Sequence, residues 1–261
     1  MAYKEIHKVC FFADVQYAPV PPRIGRLYDQ GLARLTRILE AVRNEADMYV
    51  NLGDCINGED ARQSYDAVMA LCDAAQGSSA EPDVSGRARP FIHVCGNHES
   101  FALPPSLLRG SGFTSCDYFG VHWIVLDGSY DWDGRPYGGH PGDWTKCCIP
   151  PEQQLALQRD LASCASAVVL CHYNLDPRPT SDFTPCHAEA VRHILEESGK
   201  VQAVIQGHYH EGFEQVVHGI PYHTLPAVCE RHPDLADGDP IVYAMGEIRQ
   251  GRLVNFELRF A

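Results

Sequence analysis

Asp14, Gln16, Asp54, Asn97, His98, His172, His208 and His210 are two carboxylates, two carboxamides and four imidazoles, and each stands close behind an apolar run. Taken singly they have ordinary explanations. An Asp can cap a helix, an Asn can sit in a turn, and a lone His is most often a satisfied core or surface residue. Taken together they have a chemistry in common. Hard oxygen donors with imidazole are the ligands a borderline divalent cation takes, and eight such groups suffice for two metals and one proton donor.

For that chemistry the chain must bring the eight residues to one place, and the apolar runs show how. Phe11-Phe12-Ala13 ends in Asp14-Val15-Gln16, Val50-Asn51-Leu52-Gly53 in Asp54, and residues 91–95 run through Gly96 into Asn97-His98-Glu99. Val168-Val169-Leu170-Cys171 ends in His172, and Val204-Ile205-Gln206-Gly207 in His208-Tyr209-His210. Short apolar runs bounded by Gly and polar residues read as buried strands, and α/β proteins keep their sites at such strand ends.

Between the runs, residues 29–44 carry Leu32, Leu35, Ile38, Leu39 and Val42 at helical spacing, and Tyr65, Val68, Met69 and Cys72 repeat the pattern up to 75. Further helices are expected over 151–161 and 186–197, with a short one near Pro105 and a hairpin over 117–126. The Pro-rich stretch 18–22 and the Gly/Ser/Pro-rich stretch 76–89 read as loops. From 213 onward two hairpins are expected, over 215–225 and 241–260. The fold class these elements imply is α/β, a four-layer α/β/β/α sandwich of two mixed sheets flanked by helices. With no linker to divide it, the whole chain, 1–261, reads as a single domain.

A formal charge of −13 argues against a nucleic-acid duplex as partner, because such binding needs clustered Lys and Arg. A small phosphorylated molecule is compatible, since two bound cations make a site locally positive whatever the global sign. No window approaches the ~18 to 20 apolar residues of a membrane span. The N-terminal residues lack the basic and apolar regions of a signal peptide, so a cytoplasmic location is expected. A monomer is compatible with all of this, although the sequence does not set the oligomeric state. Of the eleven cysteines, Cys10, Cys72, Cys95, Cys164 and Cys171 lie in apolar runs as small hydrophobes. No pair has zinc-ribbon spacing, and the vicinal Cys147-Cys148 is read as buried because vicinal cysteines rarely bond each other.

In this order, Asp14-Val15-Gln16, Gly53-Asp54, Gly96-Asn97-His98-Glu99, His172 and Gly207-His208-Tyr209-His210 resemble the five motifs of the calcineurin-like metallophosphoesterases. Gln16 stands where most members have His. In this it resembles one branch, the manganese-dependent ADP-ribose/CDP-alcohol diphosphatases, whose first motif is also Asp-x-Gln. Local likeness extends to Gly53-Asp54-Cys55-Ile56-Asn57-Gly58 and to Gly219-Ile220-Pro221-Tyr222-His223-Thr224-Leu225.

The resemblance implies two divalent metals. Asp14, Gln16, Asp54 and His210 would hold one; Asp54, Asn97, His172 and His208 would hold the other, with Asp54 bridging. Two cations about 3.5 to 4 Å apart polarise a phosphoryl group and acidify a bridging water, whose hydroxide attacks phosphorus in line. His98 would protonate the leaving group or neutralise charge on the phosphoryl group. The neutral, hard carbonyl of Gln16 favours Mn²⁺, with Fe, Zn²⁺ or Mg²⁺ as alternatives. The implied reaction is hydrolysis of small phosphoanhydrides or phosphodiesters such as ADP-ribose and CDP-alcohols. The alternatives are a phosphomonoesterase, a cyclic-nucleotide phosphodiesterase and an inactive protein-binding scaffold.

Outside the metal set, Arg23, Arg26 and Tyr28 are candidates to meet a second phosphate or a sugar, and Asp127 to support the site from behind. The stretch 128–149 carries Tyr130, Trp132, Tyr137 and Trp144 without a period, which reads as a functional loop whose rings stack on a base or pin the loop down. His140, His187, His218 and His223 are read as structural.

Overall fold

The computed structural model describes residues 6–77, 88–138, 142–177, 181–233 and 239–261. His140 lies outside them. The first sheet is built from β1 (Ile6–Phe12), β2 (Met48–Asn51) and β3 (Phe91–His93), with β10 (Val242–Arg249) and β11 (Arg252–Phe260) completing it in the order β11-β10-β1-β2-β3. The second contains β4 (Thr114–Tyr118), β5 (Val121–Leu126), β6 (Ala167–Cys171), β7 (Val201–Gln206), β8 (Phe213–Val217) and β9 (Ile220–Thr224), in the order β4-β5-β6-β7-β9-β8. Both sheets are mixed.

Register aligns the strand ends. Phe12 pairs with Asn51 and Asn51 with His93, so the first sheet releases the segments leading to Asp14, Asp54 and Asn97 at one level. Leu126, Cys171, Gln206 and Thr224 do the same in the second sheet. The alternation of each strand decides the layers. Cys10 and Phe12 pack outward on α1 (Gly31–Ala41) and α2 (Ala61–Ala75) through Leu35, Ile38, Val68 and Met69. Phe11 and Val50 face the other sheet, meeting Trp123, Val125, Leu170 and Ile205. On the far side Ile124, Leu126 and Val169 pack on α4 (Pro151–Ser163) and α5 (Ala188–Ser198) through Leu157, Leu161, Val191 and Leu195. This is the α/β/β/α order expected from the sequence.

Local differences have local causes. The first helix is shorter than 29–44 because a 3-10 turn over Tyr28–Gln30 precedes it and Val42 turns out of it. Gly96-Asn97-His98, just beyond the end of β3, begins a helix, α3 (Asn97–Ala102). Glu99 closes it by accepting the Gly96 N–H at 2.8 Å, and six residues are too few for a periodic signal. The expected short helix at Pro105 is a 3-10 turn, Pro105–Leu107.

Candidate functional site

The backbone turns sharply at four of the candidate ligands. Asp14 (φ 56°), Gln16 (φ 42°), Asp54 (φ 51°) and His208 (φ 69°) all lie in the left-handed region. Such residues cost roughly 1 to 3 kcal/mol each and persist only where the surroundings over-determine them. Here hydrogen bonds do so. Asp14 donates its N–H to Gly53 O at 3.0 Å, Gln16 to Asp54 O at 2.9 Å, and His208 to Asp14 Oδ2 at 3.1 Å. Glu99, fully buried, accepts the N–H of Asp54 and of Cys55, both at 3.1 Å, so its carboxylate fixes the second loop from below. Burial, then the charge of Asp54, push the Glu99 carboxyl up to about 8.

Glycine provides the remaining room. A Cβ on Gly96 would overlap Asp54 Oδ1, the oxygen that accepts the His98 N–H at 2.9 Å. Gly96→Ala is therefore expected to displace Asp54 and to destabilise the fold by about 1 to 3 kcal/mol. Chemical denaturation of the metal-free protein measures it; an unchanged midpoint would show that the loop yields freely.

The buried polar atoms test whether a cation fits. Asp14 Oδ1, Asn97 Oδ1, His172 Nε2 and His208 Nε2 are buried without a hydrogen-bond partner. Each such orphan costs about 1 to 3 kcal/mol, so four in one pocket call for an occupant. His172 Nδ1 bonds Leu52 O at 2.8 Å, which leaves the Nε2 lone pair facing Asp54 Oδ2 at 3.3 Å. Lone pair and carboxylate repel unless something positive lies between. Burial opposes a proton on Nε2, yet Asp54 favours one and holds the His172 imidazole up to about 9. A cation can replace that proton. Asp54, against its own burial, is held well below the carboxylate range by His172 and His98. His208 is pushed well below the imidazole range by burial and then by His172, which keeps it a neutral donor.

Two groups of donors emerge, joined by one carboxylate. Asp14 Oδ1 lies 3.4 Å and Gln16 Nε2 3.1 Å from His210 Nε2. Asp54, His172 and His208 bring ligand atoms within 4.8 Å of one another. Asp54 Oδ2 touches both groups, 3.4 Å from Gln16 Nε2 and 3.3 Å from His172 Nε2. A half-turn of the Gln16 amide puts Oε1 where Nε2 now stands. His98 differs from the others in being a quarter exposed, with Nε2 3.8 Å from Asp54 Oδ2. It sits at the mouth.

Beyond these eight, His210 Nδ1 is paired with Glu230 Oε1 at 2.5 Å, and Arg26 Nε donates to the same oxygen at 3.1 Å. Against burial, His210 and Arg26 hold Glu230 down to about 2. Arg26 thus reaches the site through Glu230. Arg23 is exposed, 3.8 Å from Glu59, and Tyr28 is buried. Nothing local in the sequence marks Glu230, which lies twenty residues beyond His210 outside every motif. Asp127, buried, accepts the N–H of Gly112 at 2.6 Å and of Ser129 at 2.8 Å and so anchors the start of the 128–149 loop.

That loop divides its aromatics. Tyr137 pins it against Phe101, ring centroids 4.4 Å apart, and Trp132 is exposed. Trp144 stands edge-on to His208 at 5.1 Å and 5.2 Å from Phe183, itself 5.3 Å from His208. These two rings wall the site. His218 pairs with Glu196 at 2.8 Å, and His223 with Glu214 at 3.0 Å, both away from it.

Residues 7–212 match the family described as calcineurin-like phosphoesterase. Among solved structures the chain is similar to a dimetal phosphatase from Danio rerio, with TM-score 0.76 and 18% identity over 98% of this chain and 99% of that one. It is also similar to the purple acid phosphatase PPD1 of yellow lupin (TM-score 0.60, 13% identity, 97% of this chain and 53% of that one). A putative 5'-nucleotidase from Staphylococcus aureus gives TM-score 0.58 at 12% identity over 97% of this chain and 54% of that one. These likenesses establish the fold, and the chain spans about half the length of the lupin and bacterial proteins. No curated protein sequence matches. The matched family and the orphaned oxygen and imidazole donors agree: the chain belongs to the calcineurin-like phosphoesterases, metal-dependent hydrolases that use two divalent metal ions.

Proposed function

We propose that this phosphoesterase hydrolyses small nucleotide-derived diphosphates of the ADP-ribose and CDP-alcohol type, with Mn²⁺ as the favoured metal. Gln16 carries the reading. Its buried carboxamide lies between Asp54 and His210, and as a metal ligand there its neutral hard oxygen would favour Mn²⁺ over Zn²⁺. Asp14, Gln16, Asp54 and His210 would hold one ion and Asp54, Asn97, His172 and His208 the other. The pair supplies Lewis-acid polarisation of phosphoryl oxygen and acidification of water.

The protein's own residues do the rest. The ligands, all buried except the partly exposed His210, keep their positions through the strained strand ends, so little reorganisation accompanies turnover. His98, open to the mouth, gives a proton to the departing oxygen or offsets phosphoryl charge. Trp144 and Phe183 offer apolar faces to a base beside His208. No helix among the described residues is long and apolar enough to cross a membrane.

The deciding experiment is a hydrolysis panel with Mn²⁺, Mg²⁺ and Zn²⁺ across ADP-ribose, CDP-choline, cyclic AMP and a phosphomonoester. Fastest turnover of ADP-ribose or CDP-choline with Mn²⁺ is expected. A preference for the monoester or for cyclic AMP would replace the substrate class, and no turnover of any would favour a binding scaffold.

Two substitutions probe the first metal position. Gln16→His should raise Zn²⁺ affinity more than Mn²⁺ affinity, because imidazole is the softer, stronger donor. An unchanged ratio of Mn²⁺- to Zn²⁺-supported rates, with the fold intact, would remove Gln16 from the ligand set. Glu230→Gln keeps the shape but not the charge that orients His210, and should weaken metal binding roughly 10- to 100-fold. Titration of activity with Mn²⁺ reads this directly; an unshifted midpoint would leave Glu230 with a purely structural role.

A further inference from the structure

Among the described residues, three groups of side chains bring metal-binding atoms within 4.8 Å of one another. Two belong to the site above: Asp54, His172 and His208, and His210, Glu230 and the buried Cys229 beside them. The third, Cys148, Cys186 and His187, joins the end of the 128–149 loop to the start of α5, and no part of the phosphoesterase chemistry uses it.

The geometry is that of a built site. Cys186 donates its N–H to Cys147 O at 3.0 Å, so the backbone holds the two segments together beside the thiols. His187 Nδ1 bonds Ile149 O at 2.8 Å. Metal-bound histidines almost always engage their second ring nitrogen in this way, which fixes the tautomer and leaves Nε2 with the lone pair. Ligand atoms around a tetrahedral zinc stand about 3.5 to 3.8 Å apart, so atoms already within 4.8 Å need only small movements. Cys186 is exposed, which gives a cation and a completing water a way in.

We propose that Cys148, Cys186 and His187 bind one Zn²⁺ as a structural clip separate from the catalytic pair. Two thiolates and a neutral imidazole are a soft set that suits zinc and disfavours Mn²⁺ or Mg²⁺. The two thiols lose their protons to solvent on binding, so the ion and its thiolates are together uncharged, which suits a partly buried place. The clip lies at the base of the two arms that carry Trp144 and Phe183 onto His208, and it ties them together.

Cobalt is the probe, because Co²⁺ bound by thiolate absorbs in the near ultraviolet whereas Co²⁺ bound by oxygen and imidazole does not. The full-length protein, stripped by chelator and kept reduced, should develop that band as Co²⁺ fills the clip and the catalytic pair, to a final intensity of one thiolate-bound ion per chain. Cys148→Ser and Cys186→Ser should each lose most of it, and Asp54→Ala and Cys229→Ser should keep it. Cys186 is exposed, so its variant remains informative if Cys148→Ser does not fold. Absence of the band in the unaltered protein overturns the proposal, as does its survival in both clip variants. Loss in Cys229→Ser alone would place the thiolate beside His210 instead and would also overturn it. A Cys148–Cys186 disulfide found by mass spectrometry in protein purified with zinc and without reductant would make the pair a redox staple and not a zinc site.

Discussion

Asp54→Asn and Asp54→Ala are both expected to release two metals together and to bring turnover to background. Asp54 brings a single carboxylate oxygen to both donor groups, at 3.4 Å from Gln16 and 3.3 Å from His172. It also accepts the His98 N–H, and its backbone is left-handed at φ 51°. Asn tolerates that conformation and preserves the hydrogen bond, whereas Ala loses the bond and adds backbone strain. The pair of variants therefore separates charge from fold. Equal metal loss in both, with Ala the less stable, is the expected pattern. Elemental analysis showing two metals retained in Asp54→Asn would falsify the bridging role, and one metal retained would assign Asp54 to a single ion.

His98→Ala is expected to keep both metals and to lose roughly 10²- to 10⁴-fold in turnover, the usual contribution of a positioned acid or base. Its partial exposure and its 3.8 Å separation from Asp54 set it apart from the fully buried His172, whose Nε2 is orphaned. The loss should shrink for substrates with good leaving groups, which need no proton. An equal loss for good and poor leaving groups would point to charge neutralisation instead. If the variant lost metal, His98 would join the ligand set, and normal turnover would make it a bystander.

Much of the site is legible in the sequence because its parts are short and local. A buried strand announces itself over four to six residues, and the Asp, Asn, Gln or His that follows it, in three of the five cases after a Gly, marks where it ends. Asp14, Gln16, Asp54, Asn97, His98, His172, His208 and His210 could be picked out on that basis, with the layers that carry them. The alternation of Phe11 with Phe12, and of Val125 with Ile124 and Leu126, already encodes which face meets a helix and which the other sheet.

Tertiary structure decided whatever depends on residues far apart in the chain. The pairing of Phe12 with Asn51 and of Cys171 with Gln206 levels the strand ends, and only that register sets His210 beside Asp14, 196 positions earlier. Glu230 and Arg26 meet across 204 positions, and a carboxylate in a loop has no period to reveal it. Trp144 and Phe183 lie in single 3-10 turns, Trp144–Lys146 and Ser181–Phe183, on either side of α4 and β6, and converge on His208 only when the sheet is assembled. Cys148, Cys186 and His187 are the same case: spacing of this kind carries no signal, because long-range packing, not local conformation, brings the three together. What the sequence determines by itself is which donors this protein offers and on which strand ends they sit; which of them share a cation, a carboxylate or a wall is set by strand register and loop packing.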